Sequence, residues 1–376
     1  MQIHSNFDAG NIEVTSIKPE RVELKIPKDT NSDFLQWFYF KMSDIELGRS
    51  QHVQITNAGD SAFPDGWENY RVNVSYDNEN WFRIDTDYHN GVLAFDIPTD
   101  QHEIYVAYFE PFSYQQHLEL IDKASGNPLC TVETLCKTPE GKPVELLVIG
   151  KPNTATKKVW FTARQHPGET MAEWFIKGLL DELLDDTNAN SNLLLESHCF
   201  YIIPNMNIDG SISGNLRVNS LGINYNREWE NPCKEKSPEV YYCLEKMDAI
   251  GVDFLIDVHG DEAIPYNFVT SLMGIPNLNS NTIEKENKFK QHWMNVTNEF
   301  QDVHRYDNSL PGQANLKVCS KQIGERFGTM AYTLEMPFKD SDVNPDLKHG
   351  WNGKRSMAFG ASVLKVIKLS SDDGLF

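Results

Sequence analysis

The sequence lacks the features that would place the chain in a membrane or in an oxidising compartment. No apolar run reaches the roughly 18 residues that a membrane-spanning helix needs, and the mean hydropathy is −0.48. The first residues, "MQIHSNFDAGNIEV", have neither the basic nor the apolar region of a secretory signal. The six cysteines form no CxxC pair, which indicates reduced thiols rather than a disulfide framework. We therefore expect a cytoplasmic protein.

Basic residues are also scarce. The 34 Lys and Arg face 54 Asp and Glu, which gives a formal net charge of −20 and a pI near 4.9. A field of this sign repels nucleic acids and anionic membranes, so we expect neither as a partner. An acidic substrate would need a local group of cations to overcome the same repulsion.

Two regions with different patterns follow one another along the chain. The 376 residues exceed the usual size of one hydrophobic core. Segments such as "LQWFYFKM" and "YRVNVSY", separated by Asn, Asp, Gly and Pro, predict an antiparallel β-sandwich domain over residues 1–117. Apolar strands that alternate with helical periodicity then predict an α/β domain with a mixed sheet over residues 118–376. No flexible linker separates the two, so we expect them to pack together.

Polar side chains stand where predicted strands of the second region end. His166 and Glu169 follow "VWFTA", His259 ends "FLIDVH", and Glu335 lies in "YTLEM". In α/β sheets this edge is where ligands bind. Two His and one Glu form a set that zinc commonly uses, with a fourth position left open, and Pro167 with Gly168 keeps the HxxE segment out of regular helix. Strand alternation leaves the role of Asp257 open.

Five motifs in a fixed order give these residues a family context. They read "HPGE", "PNMNIDGS", "GNLRVNSLGINYNREW", "DVHG" and "YTLEMPF". Together they resemble the zinc carboxypeptidase family. The N-terminal segments "QWFYFKMSD" and "VAYFEPFSYQQ" resemble the β-sandwich that precedes the catalytic domain in the cytosolic carboxypeptidase branch. The resemblance covers nearly the whole chain and implies hydrolysis of the C-terminal peptide bond of a peptide or protein.

The resemblance also implies roles for seven residues. One zinc ion per chain would be held by His166, Glu169 and His259, the oxyanion would be stabilised by Arg217, the substrate's terminal carboxylate would be gripped by Asn226 and Arg227, and the attacking water would be activated by Glu335. The chemistry suits these residue types, because a guanidinium binds a carboxylate through two parallel hydrogen bonds. The family usually has Asp at the position of Asn224, so we expect weaker support for a zinc-ligating His.

The side-chain pocket is less well defined by the sequence. The cytosolic branch is known for removing glutamates, which implies a cation at the pocket base, and Lys317, Lys321 and Arg326 are the candidates. The tyrosine that closes over substrate in the family has three candidates, Tyr266, Tyr306 and Tyr332. The sequence does not choose among them, and it does not fix the oligomeric state.

Two other functions compete with a metallocarboxypeptidase. The first is a zinc amidohydrolase or deacylase that acts on N-acyl amino acids or cell-wall peptides, for which the zinc site and the carboxylate grip would suffice. The second is a non-catalytic binding protein with a vestigial metal site. The presence of Glu335 beside a complete ligand set argues against this second alternative.

Overall fold

Two five-stranded sheets form the N-terminal part of the molecule. The computed structural model describes residues 1–153, 156–278 and 280–376. The ten strands of this part are β1 (Gln2–His4), β2 (Glu13–Lys18), β3 (Arg21–Lys25), β4 (Tyr39–Ser43), β5 (Gln51–Ile55), β6 (Val72–Ser75), β7 (Trp81–Ile84), β8 (Thr86–His89), β9 (Val92–Ile97) and β10 (Ile104–Ala107). The sheet orders are β1-β4-β10-β6-β7 and β2-β3-β5-β9-β8. All pairs are antiparallel except β3 with β5, so the predicted antiparallel sandwich is confirmed with one parallel pair.

The alternation of side chains explains why these segments form sandwich strands. In β3, Val22 and Leu24 are buried whereas Arg21 and Lys25 are exposed, as expected for a sheet with one face on the core. The four aromatic side chains of the "WFYF" segment are all buried, and Phe38 has no solvent exposure. We refer to β1–β10 and their loops as the N-terminal sandwich.

A seven-stranded mixed sheet forms the centre of the second part, as predicted. Its strands are β11 (Cys130–Lys137), β12 (Pro143–Ile149), β13 (Lys157–Ala163), β14 (His198–Ile203), β15 (Phe254–Asp261), β16 (Phe268–Val269) and β17 (Met330–Pro337). Their order is β11-β12-β14-β13-β15-β17-β16. The four strands β14, β13, β15 and β17 run parallel, while β11, β12 and β16 pair antiparallel at the two edges.

Eight helices accompany these sheets in the described part of the chain. They are α1 (Tyr114–Ser125), α2 (Met171–Leu183), α3 (Ala189–Leu195), α4 (Ile208–Ser213), α5 (Pro238–Ile250), α6 (Ser280–Val296), α7 (Cys319–Phe327) and α8 (Gly353–Asp372). The predicted boundary between residues 117 and 118 falls inside α1 and stays a prediction. Helices α2 and α8 touch closely, because a Cβ at Gly178 would stand 1.9 Å from the carbonyl oxygen of Met357.

All six cysteines are unpaired in the structure. Among the described residues, no helix combines the length and the apolar character that crossing a bilayer requires.

The predicted site residues lie at one edge of the mixed sheet, where the parallel strands end. Strand β13 ends at Ala163, and Arg164 turns the chain there with a φ of 57°. Its guanidinium donates to the carbonyl oxygen of Pro167 at 3.0 Å and so ties down the turn that contains the HPGE motif. Helix α2 begins only at Met171, which leaves His166 and Glu169 on an irregular loop, as predicted.

Candidate metal centre and active site

His166, Glu169 and His259 converge although 90 residues separate the last two in sequence. The Nδ1 atom of His166 lies 2.7 Å from Oε1 of Glu169, and Nδ1 of His259 lies 2.8 Å from Oε2 of the same carboxylate. The two Nδ1 atoms are 3.2 Å apart. All three side chains are buried, and their potential ligand atoms fit within 4.8 Å of one another. The sequence prediction that these three residues come together therefore agrees with the geometry.

Oxygen atoms behind each imidazole hold the opposite ring nitrogen. Nε2 of His166 lies 3.1 Å from Oδ1 of Asn224, and Nε2 of His259 lies 2.8 Å from Oδ2 of Asp257. Because a carboxylate only accepts hydrogen bonds, Nε2 of His259 can donate its proton to Asp257 when Nδ1 binds a metal. This arrangement leaves the two Nδ1 atoms for a metal. Asp257 and His259 are two residues apart and lie on the same strand face, so the alternation that left the role of Asp257 open in fact places it behind His259.

Asp257 is itself fixed by neighbours on strand β13 and its following loop. Thr162 donates to Oδ1 at 2.7 Å, and Gln165 donates to Oδ2 at 2.7 Å. Gln165 in turn accepts a hydrogen bond from the indole of Trp229 at 2.8 Å. The orientation of the His259 ring is therefore determined by a buried chain of hydrogen bonds.

The charges around His166 and Glu169 suit metal ligation. Burial lowers the pKa of His166 to about 4, and Arg217 acts in the same direction, so its imidazole is neutral at neutral pH. Burial acts to raise the pKa of Glu169, but the two imidazoles outweigh it and hold this pKa well below its usual range. Burial acts to lower the pKa of His259, but Asp257 and Glu169 outweigh burial and raise this pKa well above its usual range. Two imidazole nitrogens and one ionised carboxylate form a donor set that zinc uses in catalytic sites. The residues present therefore fit a zinc ion.

A cavity of about 480 Å³ opens in front of this cluster. Six of the seven predicted site residues line it: His166, Glu169, Arg217, Asn226, Arg227 and Glu335. His259 does not line the cavity but contacts Glu169, which does. The residues that carry the predicted chemistry thus share one space of a size that suits a small ligand or a chain end.

Glu335 lies beside the metal-ligand cluster with one oxygen free. Its residue is a register partner of His259 on the adjacent parallel strand. The Oε2 atom is buried and has no hydrogen-bond partner within the described part of the chain. Burial raises the pKa of Glu335 well above that of a free carboxyl, His259 opposes this shift, and Glu169 and Asp261 reinforce it. A carboxyl in this environment is suited to holding a proton at near-neutral pH.

Asn226 and Arg227 lie in a short 3₁₀ helix, Tyr225–Arg227, at one side of the cavity. The side-chain oxygen of Asn226 accepts a hydrogen bond from the backbone of Cys319 at 2.8 Å. This contact leaves the amide nitrogen of Asn226 on the side of His259, at 3.4 Å from Nε2. Arg227 donates to the carbonyl oxygen of Asn226 at 2.6 Å, and its guanidinium lines the cavity.

Arg217 approaches the cavity between two aromatic rings. Its guanidinium carbon lies 5.0 Å from the ring centre of Phe63 and 5.6 Å from that of Phe34. Within residues 1–153, 156–278 and 280–376, no residue accepts a hydrogen bond from this guanidinium. Its donors are therefore available to a bound ligand.

The structure distinguishes the three candidate cations for the side-chain pocket. Lys321 lines the cavity, and its amine donates to the carbonyl oxygen of Ser271. Burial lowers the pKa of Lys321 to about 8. Lys317 is exposed and does not line the cavity. Arg326 is also exposed and forms a bidentate pair with Asp248, at 2.6 and 2.7 Å.

The three candidate tyrosines separate in the same way. Tyr306 lines the cavity, and its hydroxyl donates to Oδ2 of Asp261. Tyr332 has no solvent exposure and lies in the core. Tyr266 stacks on His304 at a centroid distance of 4.3 Å, away from the cavity.

Several residues of the site were not singled out by the sequence. Phe63 comes from the N-terminal sandwich, and Gln165 orients Asp257 from the loop after β13. Glu262, which the sequence suggests is a loop acid or a supporting group rather than a metal ligand, also lines the cavity, and its buried Oε1 atom lacks a partner among the described residues. The spacing of two between Asp257 and His259 is the one local signal that could have identified the support for His259.

Two family models and several known proteins are similar to this chain. Residues 117–341 match the family model described as zinc carboxypeptidase, and residues 3–109 match the model described as cytosolic carboxypeptidase N-terminal domain. An uncharacterized protein of Zymomonas mobilis is 42% identical over 98% of this chain and 96% of its own length. A crystal structure of a metallo-carboxypeptidase from Pseudomonas aeruginosa, in complex with (2-guanidinoethylmercapto)succinic acid, is 39% identical with a TM-score of 0.96 and covers 99% of each chain.

A more distant relative is human cytosolic carboxypeptidase 1. It is 29% identical over 64% of this chain and 23% of its own length. This chain therefore spans about a quarter of that relative.

Proposed function

This chain belongs to the zinc carboxypeptidase family and is a metallocarboxypeptidase, and from that premise we propose that it removes an acidic residue, glutamate foremost, from the C-terminus of a peptide or protein. The observation that carries the proposal is the single cavity in which a complete zinc-ligand set, a buried carboxyl and several cations meet. We also propose a cytoplasmic location, which the names of the cytosolic relatives support.

We propose that one zinc ion per chain is held by Nδ1 of His166, Nδ1 of His259 and the carboxylate of Glu169. Zinc in this position would supply Lewis acidity, which polarises a carbonyl group and makes water easier to deprotonate. Asn224 and Asp257 keep both rings oriented through Nε2.

Glu335 is the group proposed to move protons. Its Oε2 atom has no hydrogen-bond partner within the described part of the chain, and the residue lines the cavity together with His166 and Glu169. A carboxylate there can take a proton from the attacking water and then deliver it to the leaving amine nitrogen. Gln at this position would keep the shape of the side chain but could not accept the proton.

The two arginines have different proposed tasks. Arg217, whose hydrogen-bond donors are free, would stabilise the negative charge that develops on the scissile carbonyl oxygen; a preorganised donor of this kind lowers a barrier by roughly 3 to 4 kcal/mol. Arg227 and the amide of Asn226 would bind the terminal carboxylate of the substrate, since a planar guanidinium matches a carboxylate in shape and charge. This grip would select chain ends over internal peptide bonds.

Lys321 supports the preference for an acidic side chain. It is the one cation among Lys317, Lys321 and Arg326 that lines the cavity. The hydroxyl-bearing residues Thr270, Ser271 and Thr333 line the same cavity and could add neutral hydrogen bonds. Although the whole chain is strongly acidic, the local cations Lys321, Arg217 and Arg227 would attract a doubly negative C-terminal glutamate.

Mass spectrometry of a peptide series tests the proposal. The peptides would differ only in the last residue (Glu, Asp, Gln, Lys or Phe), with a side-chain-branched glutamate and an N-acyl glutamate added. We expect loss of one terminal glutamate, abolished by a chelator and restored by zinc. Turnover of N-acyl glutamate with all peptides inert would instead favour an amidohydrolase, and no turnover of any substrate would favour a binding protein.

A further inference from the structure

A loop of the N-terminal sandwich holds the backbone on both sides of Arg217. The loop joins β3 to β4, and Asp29 within it is buried. One oxygen of Asp29 accepts the backbone N–H of Leu216 at 2.7 Å, and the other accepts those of Arg217 at 2.7 Å and Val218 at 3.3 Å. A single carboxylate therefore binds three consecutive amides.

The two residues after Asp29 extend this attachment. Thr30 donates through its backbone N–H and its hydroxyl to the side-chain oxygen of Asn215, at 3.0 and 3.1 Å. Asn31 donates to the carbonyl oxygen of Ser220 at 2.9 Å. The segment 215–220 is thus fixed at both ends and in its middle by residues 29–31.

The same sandwich supplies the slot for the Arg217 side chain. Phe34 lies on the β3–β4 loop, and Phe63 precedes the short 3₁₀ helix Pro64–Trp67. Their rings flank the guanidinium at 5.6 and 5.0 Å. Aromatic faces attract a guanidinium without using its N–H donors, so the slot orients the group while leaving those donors for a ligand.

These contacts hold both the backbone and the side chain of Arg217, and they come from residues of the N-terminal sandwich. Asp29 sets the position of the Cα atom, and the two rings restrict the side-chain torsions. Stabilising a developing charge requires donors that are already in place, because a displacement of about 1 Å can cost on the order of 100-fold in rate. We infer that Asp29 is a positioning residue for Arg217, and that the N-terminal sandwich thereby contributes to the active site.

The inference rests on the proposed function, because it assumes that Arg217 acts in the reaction. Burial raises the pKa of Asp29 to about 6 against the opposing effect of its three amide hydrogen bonds, so the carboxylate is ionised at neutral pH. Asn in its place would offer one acceptor and one donor, and the donor would face a backbone N–H. Asp29→Asn should therefore release part of the 216–218 backbone without changing the volume of the side chain.

Steady-state kinetics of the full-length zinc-loaded enzyme test the inference. Asp29→Asn should lower kcat about 10- to 100-fold on a glutamate-terminated peptide, with KM changed less than about twofold and zinc content unchanged. In an Arg217→Ala background, Asp29→Asn should cause no further loss, because its effect passes through the missing guanidinium. A crystal structure of Asp29→Asn should show the guanidinium displaced from between Phe34 and Phe63.

The matched control is Asp8→Asn. Asp8 is another sandwich carboxylate that accepts a backbone N–H from outside the sandwich, that of Tyr114 at the start of helix α1, at 2.6 Å, but it does not line the cavity. This variant should keep the wild-type kcat and KM. If Asp29→Asn does not fold, Phe34→Leu, which removes one wall of the slot and no backbone contact, should show the same loss of kcat and the same dependence on Arg217.

The outcomes separate the inference from the function on which it rests. A wild-type enzyme without activity on any peptide would remove the proposed function. An active enzyme whose kcat is insensitive to Asp29→Asn, or loses the same factor with and without Arg217, would overturn the inference alone.

Discussion

His259 and Glu335 are register partners on neighbouring parallel strands, β15 and β17. Residues paired in this way present their side chains to the same face of a sheet. The sheet therefore places a ligand imidazole next to a buried carboxyl that the sequence separates by 76 positions, and no loop has to order for this to occur. The central pair of the proposed chemistry is thus placed by two paired strands of the mixed sheet.

Replacement of Glu335 by Gln should abolish turnover while the metal stays bound. Gln keeps the shape but cannot take up a proton, so we expect kcat to fall by about 10² to 10⁴-fold. Metal analysis should find as much zinc as in the wild type. The control is Glu239→Gln, which alters another buried carboxyl that does not line the cavity. Near-normal turnover in Glu335→Gln would assign the proton transfer to another group.

Asn224 and Asp257 contact Nε2 of the two imidazoles, and substitutions at these two positions should change zinc affinity in opposite directions. Asp257→Asn removes the charge behind His259 and should weaken zinc binding by about 10- to 100-fold. Asn224→Asp adds a charge behind His166, where the structure has a neutral amide at 3.1 Å, and should strengthen binding. Competition with a chelator of known affinity measures both effects. Equal affinities in all three proteins would show that these oxygen atoms do not tune the ligands.

Loss of the Lys321 amine should reduce discrimination between substrates more than catalysis itself. For Lys321→Met we expect KM for a peptide ending in Glu to rise about 10- to 100-fold, because a hydrogen bond to a charged group is lost. A peptide ending in Gln should be affected little. Lys317→Met is the matched control, since Lys317 is exposed and lies outside the cavity. A uniform change across all peptides would place the acidic-residue pocket elsewhere.

The sequence predicted the parts of the site that depend on strands and motifs. Buried strands that end in polar residues placed His166, Glu169, His259 and Glu335 at one sheet edge. The sequence could not distinguish Lys321 from Lys317. Which of the two lines the cavity depends on how the chain around the start of helix α7 packs. Asp29 and Phe63 carry no local signal either, since their importance arises only when the sandwich docks against the segment 215–220.

The assignment of Asp257 shows a different kind of limit. Successive residues of a strand point to opposite faces, so the side chains that share a face are those two positions apart. The rule is informative only when the position is counted from the residue that matters, here His259. Counted from His259, Asp257 lies two positions away and shares its face, and the 2.8 Å contact between them follows directly. A pattern gives the face of a side chain, whereas the partner on that face comes from the packing.

The protein should become less stable at alkaline pH, because a buried group of charged side chains next to the HPGE loop then loses a proton. His117 lies 2.6 Å from Glu173 and 3.2 Å from Glu145, and Glu173 also pairs with Arg164 at 2.7 Å. Burial disfavours the charged imidazole, but the two carboxylates outweigh burial and raise the pKa of His117 from 6.5 to about 9. The protonated form is thus favoured by folding.

The sign of the pH effect follows from this shift. Because the pKa is higher in the folded state, the stabilisation is complete below about pH 6.5 and is lost as the pH rises through about 9. Its upper bound is about 3 kcal/mol. Thermal unfolding at pH 6.5 and 9.5 should show a fall in Tm that is much smaller in His117→Gln, whereas His198→Gln, which changes a buried His whose pKa is lowered by burial, should keep the wild-type fall. If Tm falls as much in His117→Gln as in the wild type, other groups cause the loss of stability at alkaline pH.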